Sequence, residues 1–466
     1  MQTNFLGAAY TLRSHPLAAQ TCINLYVEPN ESGNGDVGGF YGTPGKRLLL
    51  TLPSLGCRGA KAANGYLWTV YGSKIYRIGS NLGITEIGDI PSSTGAVEIQ
   101  NNVGSVVVAH PSGWHAIDTE TLAVTVVEDA PTMSDVSFID NYLVGAAANG
   151  SYVWANLNST VVDALSFASA EGNPDKIVRT LADHRELWLF GTESVEVAVV
   201  TSDPDLPFTR TSYIEQGIMA PRTAAKEDNS VFWLGRNERG QGVVYVAQGY
   251  IPRRISTFAI EQAIAGYASP ETATAYTYQQ DGHHFYVLCF DEATWVYDIN
   301  TQLWHQRAWR EPGTGLLKRD RTSAHAMLGG RHLVGDWEDG RLYALETDYY
   351  LDDQDPIYRE RAWPQAEGEN RLIRYDRAEL MGDMGVGLDG DGIDADPSVW
   401  LSWSDDGGRT WGNEHERSIG RIGQYRLRAV WRRLNRARTR YFRLRTTAAV
   451  RVAWRGFNID VSVSKK

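Results

Sequence analysis

Seven times along this 466-residue chain the same pattern recurs: a polar turn, an alternating apolar strand, a second turn, and a second strand rich in Tyr, Trp and Val. The units run Asn64–Gly79, Asn102–Asp118, Ile139–Asn156, Asp183–Val200, Asp228–Gly249, Asp281–Arg307 and Gly329–Glu346. Their starts lie about 37 to 53 residues apart, the span of one four-stranded propeller blade. An apolar period of two reads as a β-hairpin in each unit. In Asp183–Val200 it predicts that Leu187, Leu189, Val195, Val197 and Val199 share one buried face. A hairpin cannot bury such a face alone, and stacking copies around a ring does so. The expected fold is therefore all-β, a β-propeller of six to eight blades. A set of β-sandwiches also fits regular strand spacing and stays open as the alternative. Helical pattern is sparse, and its best short candidate is Ile255–Tyr267 with Ser256 as N-cap.

The repeat does not cover the whole chain. Residues 1–60 lack it and are expected to form an extended segment packing on the ring, with the propeller over 61–354. From 355 to 466 the sequence changes to a β-rich module whose last strands alternate strictly, which predicts an additional C-terminal β-sandwich. No apolar run approaches the roughly 18 residues needed to span a bilayer, and the N-terminus is a poor secretory signal. Three scattered cysteines, Cys22, Cys57 and Cys289, argue against a disulfide framework and fit a reducing cytoplasm.

Charge is unevenly distributed. The formal net charge is −11, yet Arg417 to Arg455 holds 13 arginines and no acid, leaving −24 for the rest. An acidic body with one basic patch points to self-association or a protein partner, and away from a nucleic-acid binder that is basic all over. Within that run Arg432, Arg433, Arg436 and Arg438 are the candidate protein-docking residues. Arg438 and Arg440, then Arg443 and Arg445, alternate as exposed strand faces would. A phosphate-binding surface, with Trp431, Tyr441 and Trp454 between the arginines, and a merely solvated face are the other readings.

The sharpest short motif is Ser404–Trp411, which matches the Asp-box pattern at Ser404, Asp406, Gly408, Thr410 and Trp411. Asp406 can accept backbone N–H bonds across the turn, Gly408 permits a positive φ, and Trp411 can pack beneath the hairpin. The box occurs in sialidase propellers, which raises a carbohydrate-active alternative, a glycosidase or a lectin-like receptor binder. There, however, the box is a folding staple away from the chemistry, and the structural reading is preferred. Asp389, Asp391, Asp394 and Asp396 could hold Ca²⁺ through carboxylate oxygens. Ile393 and Trp400 depart from the EF-hand pattern, so a solvated loop is the other reading. His283 and His284 are adjacent and point to opposite strand faces, while His325 and His332 lack a partner at ligand spacing. Glu215 and Asp228 could be invoked as a glycosidase pair, but a chain with 56 acids always offers one. No nucleophile elbow, P-loop, dinucleotide fingerprint or zinc pattern is found. The expectation is a protein with no catalytic residues, no metal and no cofactor.

Longer strings carry a family resemblance. Thr21 to Gly33 (TCINLYVEPNESG), then Phe40 to Lys46 (FYGTPGK), resembles the start of tail-hub, or nozzle, proteins of short-tailed bacteriophages, the packaged-DNA stabilisation proteins. GTESVEV, DLPFTR, Tyr213 to Tyr245 (YIEQGIMAPRTAAKEDNSVFWLGRNERGQGVVY) and Trp403 to Arg445 are similar to the same group. What the resemblance implies is a structural virion protein of the tail, assembled in the host cytoplasm as a ring, expected to be a homohexamer, below the portal and adaptor. Its implied partners are the portal–adaptor, tail spikes or fibres, and a needle or plug. Duplex DNA would pass through its lumen without specific binding and be retained there until ejection.

Overall fold

The computed structural model describes residues 5–14, 18–32, 38–127, 131–170, 172, 175–364 and 371–463. Seven four-stranded antiparallel blades form a closed ring among them. Blades 1 to 6 span 57–89, 98–126, 137–168, 177–214, 225–254 and 274–310. Blade 7 takes three strands, Thr322–Leu328, Arg331–Asp336 and Arg341–Glu346, from its own segment. Its outer strand comes from the other end of the chain: Gly45–Thr51 pairs antiparallel with Arg341–Glu346. Residues 1–60 therefore do more than pack on the ring, because one of their strands completes it. The innermost strands of neighbouring blades contact one another, with the turn Pro221–Thr223 making the contact to the innermost strand of blade 4, and blade 7 meets blade 1.

Local sequence explains the hairpins. In six blades the first turn has two consecutive residues with positive φ, for example Asn64–Gly65 (52° and 78°), Asp140–Asn141 (42° and 70°) and Asp281–Gly282 (51° and 81°). Such pairs match the twist of the flanking strands, and Asn, Asp and Gly adopt them at least cost. Six of the seven repeat units of the sequence are the second and third strands of a blade, and Asp281–Arg307 also takes in most of the fourth strand, Leu303–Arg310; each unit begins at or just before the first turn.

One expectation about the faces is corrected. Leu187 lies opposite Ala198, whereas Trp188 lies opposite Val197 and Phe190 opposite Val195. Leu187 and Leu189 consequently pack on blade 3, while Val195 and Val197 face blade 5 with Trp188 and Phe190. A blade has a neighbour on each side, so both faces are buried and apolar alternation alone does not say which residues share one. Seven apolar clusters fill the seven blade boundaries. The helix is also shifted: it spans Phe258–Ile264, and its N-cap is Thr257. Ser256 is occupied elsewhere, accepting from Val244 N at 3.1 Å and donating to Glu261 at 2.7 Å.

The C-terminal module is a β-sandwich. One sheet contains Arg359–Pro364, Tyr441–Thr446, Ser398–Ser404 and His415–Ser418; the other contains Leu25–Pro29, Gly38–Gly42, Ala453–Val463, Ile373–Gly382 and Ala429–Arg432. Phe5, Phe40, Trp363, Trp431, Phe442 and Phe457 pack between them. The N-terminal segment stitches sandwich to ring. Ile23 pairs with both Gln306 of blade 6 and Glu360 of the sandwich, so that one sheet runs through both modules. Asn24 spans the same seam, donating to the carbonyls of Ala308 (2.7 Å) and Tyr358 (2.8 Å). The buried Arg361 holds the chain start through the carbonyls of Phe5, Ala8 and Thr21. Lys46, on the closing strand, is buried between Asp320 (2.8 Å) and Asp352 (2.7 Å). Burial depresses its pKa, and the two carboxylates more than offset that, holding it above the usual lysine value.

Candidate docking surface

The Asp-box turn leaves the end of the strand Ser398–Ser404. Ser404 donates to Asp406 at 2.6 Å and accepts from Gly408 N at 2.8 Å. Asp406 accepts from the backbone N–H groups of Arg409 and Thr410, both at 3.0 Å, and from the Thr410 hydroxyl at 2.6 Å. These donors, the Ser404 and Thr410 hydroxyls first, hold its carboxyl well below the usual carboxylate range. Asp406 is exposed at the surface, so it organises the turn from outside rather than as a buried acceptor. Gly408 has φ +87°, and a Cβ there would lie 2.8 Å from Ala19 Cβ and 3.9 Å from the Trp411 ring. The N-terminal strand Ala19–Gln20 is thereby seated on the box.

The neighbouring Asp405 lies outside the motif, yet it ties the turn to the module. It takes a two-pronged contact from Arg440, with both N–O distances 2.7 Å. Arg440 is buried, donates to the Leu434 carbonyl, and lies over Tyr375 at 4.4 Å and Trp403 at 5.3 Å. The expected exposed face of Arg438 and Arg440 is therefore corrected: Arg440 precedes its strand and turns into the core. Arg443 and Arg445 do share a face, but a half-buried one. Arg443 covers Trp411 at 4.5 Å, and both arginines reach Glu414.

The acids absent from the arginine run thus arrive from elsewhere in the fold. Arg428 pairs with Glu379, and Arg451 lies 3.9 Å from Asp383. Arg432, Arg433, Arg436 and Arg438 are all exposed. They follow one sheet edge, where Arg432 is opposite Arg377 and Arg436 opposite Arg374. Arg433 itself has a positive φ of 62° at the break between the two short edge strands. Charged residues on an edge prevent unwanted strand pairing, and planar guanidinium groups can take carboxylates bidentately. The edge can therefore refuse a strand while accepting an acidic surface.

The remaining candidates have local roles. Asp394 accepts from Ala449 N at 3.0 Å, and Ser418 donates to Asp396, so two of the four loop acids are engaged within the loop's own surroundings. Asp389 and Asp391 are exposed. No group of three or more potential metal ligands occurs among the described residues. His283 bonds Asp298 at 2.8 Å and His284 bonds Glu227 at 3.0 Å. His325 and His332, which have no partner at metal-ligand spacing in the sequence, bond each other at 3.1 Å across neighbouring strands, and His110 and His115 do so at 2.9 Å. Strand register brings these pairs together, and register cannot be read from spacing alone. No described helix is long and apolar enough to cross a membrane.

Two family models match the chain. Residues 1–350 match the family described as bacteriophage P22 Gp10, β-propeller, and residues 358–462 match bacteriophage P22 Gp10, β-sandwich. No curated protein matches significantly. Among solved structures, the chain is similar to the N-terminal domain of Nup159, with 12% identity, a TM-score of 0.44, and coverage of 71% of this chain and 99% of that one. It is similar to the Neurospora crassa Pan2 WD40 domain, with 10% identity, a TM-score of 0.44, and coverage of 66% and 95%. It is also similar to the computationally designed Ika8 protein, with 13% identity, a TM-score of 0.42, and coverage of 64% and 99%.

Proposed function

This chain belongs to the bacteriophage P22 Gp10 family and is a structural component of the phage tail; from that premise we propose that it acts as the tail hub. In this reading six copies form a ring below the portal and adaptor. The ring conducts the genome, helps a plug or needle to retain it, and docks spikes or fibres at its periphery. The mechanism is geometric and electrostatic. Outside the arginine run the chain carries −24, and an acidic lumen would repel phosphate. Cationic contacts to the backbone are the main source of non-specific DNA affinity, and their scarcity would keep DNA from adhering during ejection.

One observation carries the docking part of this reading. Arg432, Arg433, Arg436 and Arg438 stand exposed along one sandwich edge. Exposed, edge-bound arginines suit an acidic protein neighbour. The competing use is DNA contact, and purified wild-type protein tests it. We expect no tight duplex binding at physiological salt. Tight binding with a steep loss as salt rises would assign the edge to the genome instead.

A further inference from the structure

The acidic neighbour can be named more closely. This inference rests on the ring reading above and concerns which two faces meet. Between Arg77 and Lys176 the chain contains no lysine or arginine and 12 acids. That stretch supplies the outer strand of blade 1 and all of blades 2 and 3. It is the electrostatic counterpart of the run from Arg417 to Arg455, with 13 arginines and no acid.

Each region also carries exposed apolar side chains. In the sandwich, the connection between His415–Ser418 and Ala429–Arg432 presents Ile422 (59% exposed), Tyr425 (72%) and Leu427, with Arg421 and Arg426 exposed beside them. The connection is a built loop. Gly385 N donates to the Ile419 carbonyl at 2.7 Å, Gly387 N to Gly420 at 3.1 Å, and Gln424 N to Arg421 at 3.0 Å. A held loop with exposed Tyr and Arg has the composition of an interface anchor, and little ordering entropy is lost when it binds.

On blades 2 and 3 the matching patch consists of Val103 (69% exposed), Leu157, Val161 and Leu165 (86%). Val103 lies in the first turn of blade 2 and the other three in the last connection of blade 3, so all four are at the same end of the ring. Asn102 donates to the Ser159 carbonyl at 3.1 Å, joining the two parts. Exposed Glu120 and Asp163 flank the patch.

Position within the ring completes the case. The sandwich is joined to blade 6 through one continuous sheet. From blade 6, blade 2 is three steps away in one direction around the seven blades and blade 3 three steps away in the other. The two complementary faces are therefore on opposite sides of one subunit. A heterologous contact between opposite faces is what a head-to-tail ring requires, and opposite charge sets its partner and register. We propose that the basic sandwich loop around Tyr425 of one subunit docks on the acid-rimmed apolar patch of blades 2 and 3 of a second copy of this chain.

Reversal and re-reversal of charge test the contact. One variant carries Arg421→Glu and Arg426→Glu, a second carries Glu120→Lys and Asp163→Lys, and a third carries all four. All four sites are exposed, and circular dichroism checks that each variant folds. Sedimentation velocity over a concentration series then reads assembly, for each variant alone and for the first two mixed. The expected result is ring-sized species for the wild type, loss of assembly for each two-site variant alone, and recovery in both the mixture and the four-site variant. Rings that form regardless of either reversal overturn the contact and leave the ring reading intact. A loop variant that fails alone and is not recovered by the patch variant also overturns it, and assigns the loop to a different acidic protein. A wild type that stays monomeric throughout overturns the contact as a self-association. The ring reading is then judged separately, from the copy number of this chain in purified tails.

Discussion

Asp406 shows how much a single carboxylate does on the surface of this fold. Its oxygens accept from the Ser404 hydroxyl and from the donors of Arg409 and Thr410, which fixes the turn on which Ala19 rests. We expect Asp406→Ala to lower the melting temperature without abolishing folding; a folded variant with unchanged stability that lost a measurable hydrolytic activity would contradict the structural role. Because this carboxyl titrates below its unfolded value, its contribution is complete above the ordinary aspartate range and is lost as pH falls through the folded pKa. Histidines set a different acid window. Burial, with the neighbouring ring as second cause, pushes His110 and His325 down to about 4. The unfolded chain then binds more protons between roughly pH 6.5 and 4. Stability should be complete above the unfolded histidine pKa and fall across that window on acidification. Urea titrations at stepped pH check this, and His110→Gln with His325→Gln should flatten the slope there. Of these residue-level features the Asp box was legible, since its motif is local. The buried Arg440 and the two histidine pairs were not, because strand register and the course of the chain into the core decide them.

At the scale of elements, the seven hairpins were readable because period-two apolarity and Asn, Asp or Gly turns are local signals. The closing strand Gly45–Thr51 was not readable. Its sequence, GKRLLLT, has no turn partner nearby, and its pairing strand lies almost 300 residues on, at Arg341–Glu346. Face assignment in blade 4 failed for a related reason, since a doubly buried blade has no solvent face to mark the register. Lys46 lies on the closing strand, and its two carboxylate partners come from the approach to blade 7 and from the link to the sandwich. Lys46→Met should remove the cation that bridges Asp320 and Asp352. Removing one member of a buried ionic group costs about 3–5 kcal/mol. Denaturant unfolding of the full chain should show a loss of that order, and a loss under about 1 kcal/mol would mean that the group behaves as a surface pair.

For the whole molecule, fold and charge belong to one account. The propeller supplies a rigid acidic body, and the N-terminal segment locks it to a sandwich through Ile23, Asn24 and Arg361. The sandwich carries Arg432, Arg433, Arg436 and Arg438 exposed along one edge. Family membership makes the chain a tail component, and the central claim concerns what that basic edge does there. Incorporation of a variant with Arg432, Arg433, Arg436 and Arg438 replaced by Glu, scored by quantitative mass spectrometry of purified virions, tests it most directly. Exposed ion pairs are worth only about 0 to 1 kcal/mol each, so the isolated variant should fold as the wild type does. The account predicts that this folded variant is lost from tails, because four like charges then face an acidic partner. Normal incorporation, together with salt-sensitive duplex binding by the wild type that the variant lacks, would contradict it.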